Sequence, residues 1–219
     1  MDRMQIASVG PWLMRLGGLL AAILLPLWFN PWATAAFEPA KITLFLLITL
    51  VMGSVALWTR LRRPEALLSP PPSLWRWLVV YLGVIGAATL ASVDPGRSLW
   101  GAPDNLHRAL VIAAGPLFAL LLLSSWRTVD ARQRQVTALI IGSVPVALYG
   151  LIQALGLDPL SWTTDAVSPV LSTLGRSNFL GAYLVLVIPF ALARHWEAPT
   201  PGLTLRAMRW RYGVVLALA

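Results

Sequence analysis

Three cations stand immediately ahead of long apolar runs: Lys41 before Ile42, Arg108 before Ala109 and Arg176 before Ser177. If each run is a helix, each cation marks a helix N-terminus. The macrodipole is positive there, roughly half a charge, so complementarity favours an acid. A base at that place is explained if an anion binds too, because backbone N–H groups and a guanidinium together hold phosphate well. The alternative is that long basic side chains snorkel at an interface and anchor helix ends. Arg176 lies in Gly175-Arg176-Ser177-Asn178-Phe179-Leu180-Gly181. Ser177 or Asn178 can cap the following helix, and Gly175 permits an unusual backbone angle before it. The result is a short turn with donors facing one way, although an ordinary loop-to-helix turn has the same spacing.

Other chemistry is sparse. His107, beside Asp104 and Arg108, can serve as an acid–base group, but a solvated interfacial histidine has the same surroundings. His195 is the second histidine, and on the charge-based topology below the two fall on opposite faces, so they cannot share a metal. There is no cysteine, hence no disulfide framework, thiol catalysis or cysteine metal site. No glycine-rich phosphate loop or nucleophile elbow is present. Asp94, Asp104, Asp158 and Asp165 sit in proline-containing loops, where turn-forming roles suit them. Neither a metal nor a cofactor is implied.

Whatever positions these residues is strongly apolar. The 219 residues are 58% hydrophobic and 12% charged, with a mean hydropathy of +0.72. Soluble domains carry about 25% charged residues, so a water-facing globule is excluded, as are disorder, collagen and coiled coil. Charge-free stretches cover 16–37, 42–59, 77–93, 109–126, 135–157 and 177–193. Each meets the roughly 17–25 residues needed to cross a hydrocarbon core. A seventh stretch, 212–219, is too short to cross, which suggests a truncated chain. Residues 117–123 are apolar on every side, unlike an alternating barrel strand. Helices are the solution that satisfies their backbone in lipid. Pro26, Pro116, Pro145 and Pro189 fall inside the spans and are expected to kink them. The tryptophans gather near span ends, as in an interfacial belt. The first stretch runs into Asn30-Pro31-Trp32 rather than a small-x-small cleavage site, which favours a retained span. The expectation is an all-α polytopic transmembrane bundle, one domain over 1–219. Its spans lie near 13–30, 42–59, 75–93, 109–126, 135–156 and 177–194, with a partial one at 211–219.

The +8 formal charge divides by side. Thirteen of the 17 cations lie in 1–15, 60–76, 127–134 and 194–211, leaving Lys41, Arg97, Arg108 and Arg176 in the other loops. By the positive-inside bias the first set is cytoplasmic and so is the N-terminus. The loops at 30–41, 94–108 and 158–176 then face outward. Nucleic-acid binding loses its support, because most of the basic charge is a topology signal. The partner implied directly is the lipid bilayer.

Four outer segments resemble the O-antigen ligase and polymerase family of bacterial inner-membrane proteins. They are Phe37-Glu38-Pro39-Ala40-Lys41; Ser98-Leu99-Trp100-Gly101; Leu148-Tyr149-Gly150-Leu151-Ile152-Gln153; and the turn from Gly175 through Asn178 to Tyr183-Leu184. Order and spacing match over about 37–190. One departure is Arg108-Ala109-Leu110-Val111, where the family often has Arg-x-x-Gly. By the resemblance, the family's catalytic core, with a large outer loop carrying an essential His and Arg, would lie beyond Ala219. His107 does not take that role. The resemblance implies a metal-independent, multi-pass glycosyltransferase of the inner membrane. It would move glycan from an undecaprenyl-diphosphate carrier to a lipid or protein hydroxyl, or to another chain. Arg176, Lys41, Arg97 and Arg108 would contact the diphosphate, while Asn178, Gly175 and Gln153 would shape the site. Residues 1–219 alone are expected to be inactive. The alternatives are a transporter or lipid flippase, for which Thr43, Thr49, Ser54, Thr89, Ser143 and Gln153 are the polar groups within the spans, or a non-catalytic membrane scaffold. An intramembrane protease lacks a Ser–His arrangement.

Overall fold

A computed structural model describes residues 3–33, 35–101, 108–160, 162 and 170–196. Among these the chain is all α, with no strand. The helices are α1 (Arg3–Leu27), α2 (Glu38–Arg62), α3 (Pro72–Leu90), α4 (Pro95–Trp100), α5 (Ala109–Ser125), α6 (Val129–Ala154) and α7 (Ser177–Trp196). Two short 3-10 turns, Pro64–Ala66 and Ser172–Leu174, join them. Five of the helices contain apolar segments long enough to cross a membrane, within α1, α2, α3, α6 and α7; α5 is apolar but shorter. The six longer charge-free stretches therefore coincide largely with helices; α1, α2, α3, α6 and α7 run past them at the charged end, while α1, α3, α5 and α6 stop short of them at the C-terminal end. Glu38, Arg60 and Arg62 are helical, because a charged side chain at a helix end costs the backbone nothing. The 211–219 stretch, His107, Asp104 and Asp165 lie outside the described residues.

One expectation changes. The 94–108 loop contains α4, with Asp94 as its N-cap: Oδ1 accepts from the Arg97 N–H at 2.9 Å, and Pro95 fills the first helical position. Asp followed by Pro reads as a turn, but the same pair opens a helix. Helix α5 runs through Pro116, α6 through Pro145 and α7 through Pro189, while Pro26 lies in the last turn of α1.

The chain divides into two compact units. The first comprises Met1–Ala21 and Ile42–Arg132. Gly10 faces Thr59, and a Cβ on Gly17 would lie 2.7 Å from Met52 Cγ, so α1 and α2 approach closely through small residues. Phe45 meets Phe118 edge to face. Only 6% of the apolar window of α3 is buried, so this helix presents apolar surface on nearly every side. The second unit comprises Ala22–Lys41 and Gln133–Ala219. Ile140, Val187 and Ala191 form its core, with Val136, Leu139, Val144 and Tyr183 packed around them. The buried Arg194 guanidinium donates to the Gln133 carbonyl at 2.7 Å and to Thr137 Oγ1 at 3.3 Å.

Candidate functional site

Within the second unit, the segment 171–178 gathers Gly175, Arg176 and Asn178 with Lys41 and Gln153. Its starting point is the end of α1. The last carbonyls of a helix have no partner inside it and carry the negative end of the dipole. Lys41 supplies both donors and charge: Nζ donates to the carbonyls of Trp28 at 2.8 Å and Pro26 at 3.3 Å. Its third donor goes to the Thr173 carbonyl at 2.7 Å. Thr173 Oγ1 returns a hydrogen bond to Pro26 O at 2.8 Å. The ammonium thus has an acceptor for each of its three protons, and it ties the 172–174 turn to the end of α1.

A second strap comes from α6. Gln153 is 4% exposed. Its Oε1 accepts from the backbone N–H groups of Leu171 at 2.9 Å and Ser172 at 2.6 Å, and Nε2 donates to Asp158 Oδ2 at 2.8 Å. Ser172 is fully buried at a φ of 52°, uncommon for a residue with a Cβ. Its Oγ donates to the Val146 carbonyl at 2.6 Å, so hydrogen bonds at both ends hold the conformation. Gly175 follows with φ 87°, and a Cβ there would lie 2.5 Å from the Phe37 ring. Both backbone angle and packing require glycine at 175.

This braced turn delivers the exposed Arg176 to the start of α7. The Arg176 carbonyl accepts from Leu180 N–H at 3.1 Å, so Arg176 itself occupies the N-cap place. Ser177 and Asn178 are in the first turn rather than capping it, and Asn178 Oδ1 accepts from the neighbouring Phe179 N–H. Among the described residues the Arg176 side chain has no hydrogen bond, and the first turn of α7 carries no acid. The geometry suits a negatively charged ligand chemically.

Arg97 and Arg108 belong to the first unit. Arg97 is an exposed residue of α4, and Arg108 precedes α5 with one guanidinium N–H donated to the Trp100 carbonyl at 3.0 Å.

Sequence reading gave Asp158 only a turn role. Its carboxylate accepts from Tyr149 Oη at 3.0 Å, Gln153 Nε2 at 2.8 Å, Trp162 Nε1 at 3.0 Å and the Leu160 N–H at 3.0 Å. Burial pushes the carboxyl up. The four donors outweigh that and hold it below its ordinary value. Phe29, Phe37 and Trp162 cluster beside it, Phe37 and Trp162 with ring centroids 4.9 Å apart. Helix α6 ends in a Schellman motif: Gly156 has φ 70°, Leu157 N–H donates to Ile152 O and Gly156 N–H to Gln153 O. That turn carries Asp158 back over Tyr149 and Gln153. The signal available in the sequence was the four-residue spacing of Tyr149 and Gln153, which shares a helix face.

The hydroxyls of Thr49, Ser54, Thr89 and Ser143 each bond a carbonyl of the preceding turn in their own helix. Among the described residues no three His, Asp or Glu side chains come together as a metal site would need. No family model, curated protein or solved structure matches the chain.

Proposed function

We propose that this chain is the membrane-spanning front part of a glycosyltransferase of the O-antigen ligase and polymerase type. It is multi-pass in the bacterial inner membrane with its N-terminus cytoplasmic, and acts at the outer face on undecaprenyl-diphosphate-linked glycan. The observation that carries the reading is the exposed Arg176, set at the start of α7 on a turn braced by Lys41, Gln153 and Gly175. As the glycosidic bond to the carrier breaks, negative charge develops on the leaving diphosphate. A guanidinium carried on a braced backbone starts close to that charge, so stabilising it takes less reorganisation. In this reading Arg176 is the diphosphate contact, and Arg97 and Arg108 add positive charge at the same face of the membrane. Lys41 spends its protons on carbonyls, so it acts as a positioning residue, as do Gln153, Gly175 and Asn178. Transport has less support, because the hydroxyls of Thr49, Ser54, Thr89 and Ser143 each donate to a carbonyl of their own helix rather than to one another.

The test is Arg176→Ala in the complete open reading frame, with transfer from the undecaprenyl-diphosphate donor followed in isolated membranes. Losing one positioned donor to a developing anion lowers transfer by about 10²-fold, at unchanged protein level in the membrane. Unchanged transfer at that protein level removes Arg176 from the site.

A further inference from the structure

Within the first unit, α3 and α5 enclose a groove of about 560 Å³ lined by Leu74, Trp77, Tyr81 and Val84 on one side and Pro116 and Leu120 on the other, among other residues. The lining is apolar apart from the Tyr81 hydroxyl and the Trp77 indole N–H. The Tyr81 hydroxyl reaches the Ile112 carbonyl at 3.5 Å. From Leu74 to Val84 the groove follows about 15 Å of helix. That is the depth of one leaflet of a roughly 30 Å hydrocarbon core.

One end of this groove is basic. Leu123 lines it there, and the next residue, Ser124, accepts from the Leu68 N–H at 2.9 Å, which fixes the 63–71 segment beside that end. Arg60 donates to the Leu68 carbonyl at 3.2 Å and Arg127 to the Ala66 carbonyl at 2.9 Å, so two guanidiniums are held on this segment. Arg76, exposed in the first turns of α3, is at the same end. Arg62 and Arg63 lie close in sequence, with Glu65 the one acid in 60–76.

We propose that this groove holds one acyl chain of an anionic glycerophospholipid, with its phosphate among the arginines at the α3 entrance. The proposal rests on the membrane-spanning part of the functional reading and not on glycosyl transfer. Length and polarity match a single leaflet, and the arginines match an acidic headgroup. A second copy of this +8 chain would instead bring arginine against arginine.

The purified full chain in detergent is offered equimolar phosphatidylglycerol and phosphatidylcholine, and retained lipid is read by native mass spectrometry. Phosphatidylglycerol is retained preferentially, one per chain. Arg76→Gln weakens that retention about fivefold, the effect of one basic residue near an anionic surface. Ala119→Trp, at an exposed position in the groove wall, abolishes it. Leu47→Trp, equally bulky on the exposed face of α2, leaves it intact. Equal retention of both lipids, retention that survives Ala119→Trp, or a lipid-free dimer each overturns the proposal. Parallel reconstitution into phosphatidylcholine nanodiscs reads the membrane reading separately, since a chain that will not insert there fails at that earlier step.

Discussion

A lysine ammonium has three protons to place, and at Lys41 all three go to backbone carbonyls at 2.7–3.3 Å. Hydrogen bonds from a charged donor contribute about 1.5–3 kcal/mol each, and those of Lys41 range from exposed at Trp28 to part-buried at Pro26 and Thr173. Lys41→Met is therefore expected to lower stability by about 3 kcal/mol, seen as a lower midpoint on thermal unfolding in detergent. Lys41→Arg should not restore it, because a planar guanidinium cannot aim at three carbonyls converging on one point. Gly175→Ala should cost about 1–2 kcal/mol for the left-handed conformation alone, and more for displacing Phe37. Adding Phe37→Ala should recover the steric part but not the conformational one. At Asp158 the folded carboxyl titrates below its ordinary value of 3.8. Its stabilisation is therefore complete above that value and lost as pH falls through the lower folded one. Protease cleavage within 158–162 should stay slow through mild acid and rise only below that range. Asp158→Asn should raise it at every pH, because an amide brings donors where Gln153 and Trp162 already donate. Gly175 was legible in the sequence, because a glycine before a helix start has few other reasons to be there. The state of Lys41 was not, because one of its acceptors lies 132 residues away.

The helices themselves were legible because charge-free runs leave the backbone one solution in lipid. Their ends were less so, since α2 carries Glu38 and Arg62 inside its bounds. Helix α4 was missed because six residues that follow Asp94, open with Pro95 and contain an arginine show no apolar period. What pattern cannot give is which helices touch, and there the glycines decide. A Cβ at Gly142 of α6 would lie 2.8 Å from the Ala22 carbonyl and 3.1 Å from Ile23 Cα. Both are backbone atoms of α1, which cannot swing aside as a side chain can. Gly142→Ala should therefore separate the two segments and cost about 1–3 kcal/mol, the range for overpacking. Gly86→Ala meets nothing within 4 Å and should be neutral or slightly stabilising, since glycine is the poorer helix former. Unfolding midpoints of the two variants, measured side by side, separate close packing from propensity.

For the whole molecule the question is which way it faces. If the six charge-free stretches all cross, thirteen cations fall on one side against four on the other, and such a bias sets orientation during insertion. The same division would place Arg176 outside, so the functional proposal depends on it. The chain offers a direct test because its 219 residues contain no cysteine, so a thiol introduced there is the only one among them. Val93, past the end of α3 and next to the 94–108 loop assigned outward, and Trp32, in the 30–41 loop assigned outward, are among the most exposed described residues. Glu65 is exposed in a segment assigned inward. Val93→Cys and Trp32→Cys should react with a membrane-impermeant maleimide in spheroplasts, while Glu65→Cys should react only after permeabilisation. The opposite pattern would put Arg176 in the cytoplasm and remove the outer-face transferase. Equal labelling of all three before permeabilisation would remove the membrane crossing itself. Reversing the bias tests the cause: replacing Arg60, Arg62 and Arg63 with glutamine should shift part of the population toward the inverted pattern. A population that keeps its orientation would mean that the remaining inner arginines, or the order of insertion, fix it instead.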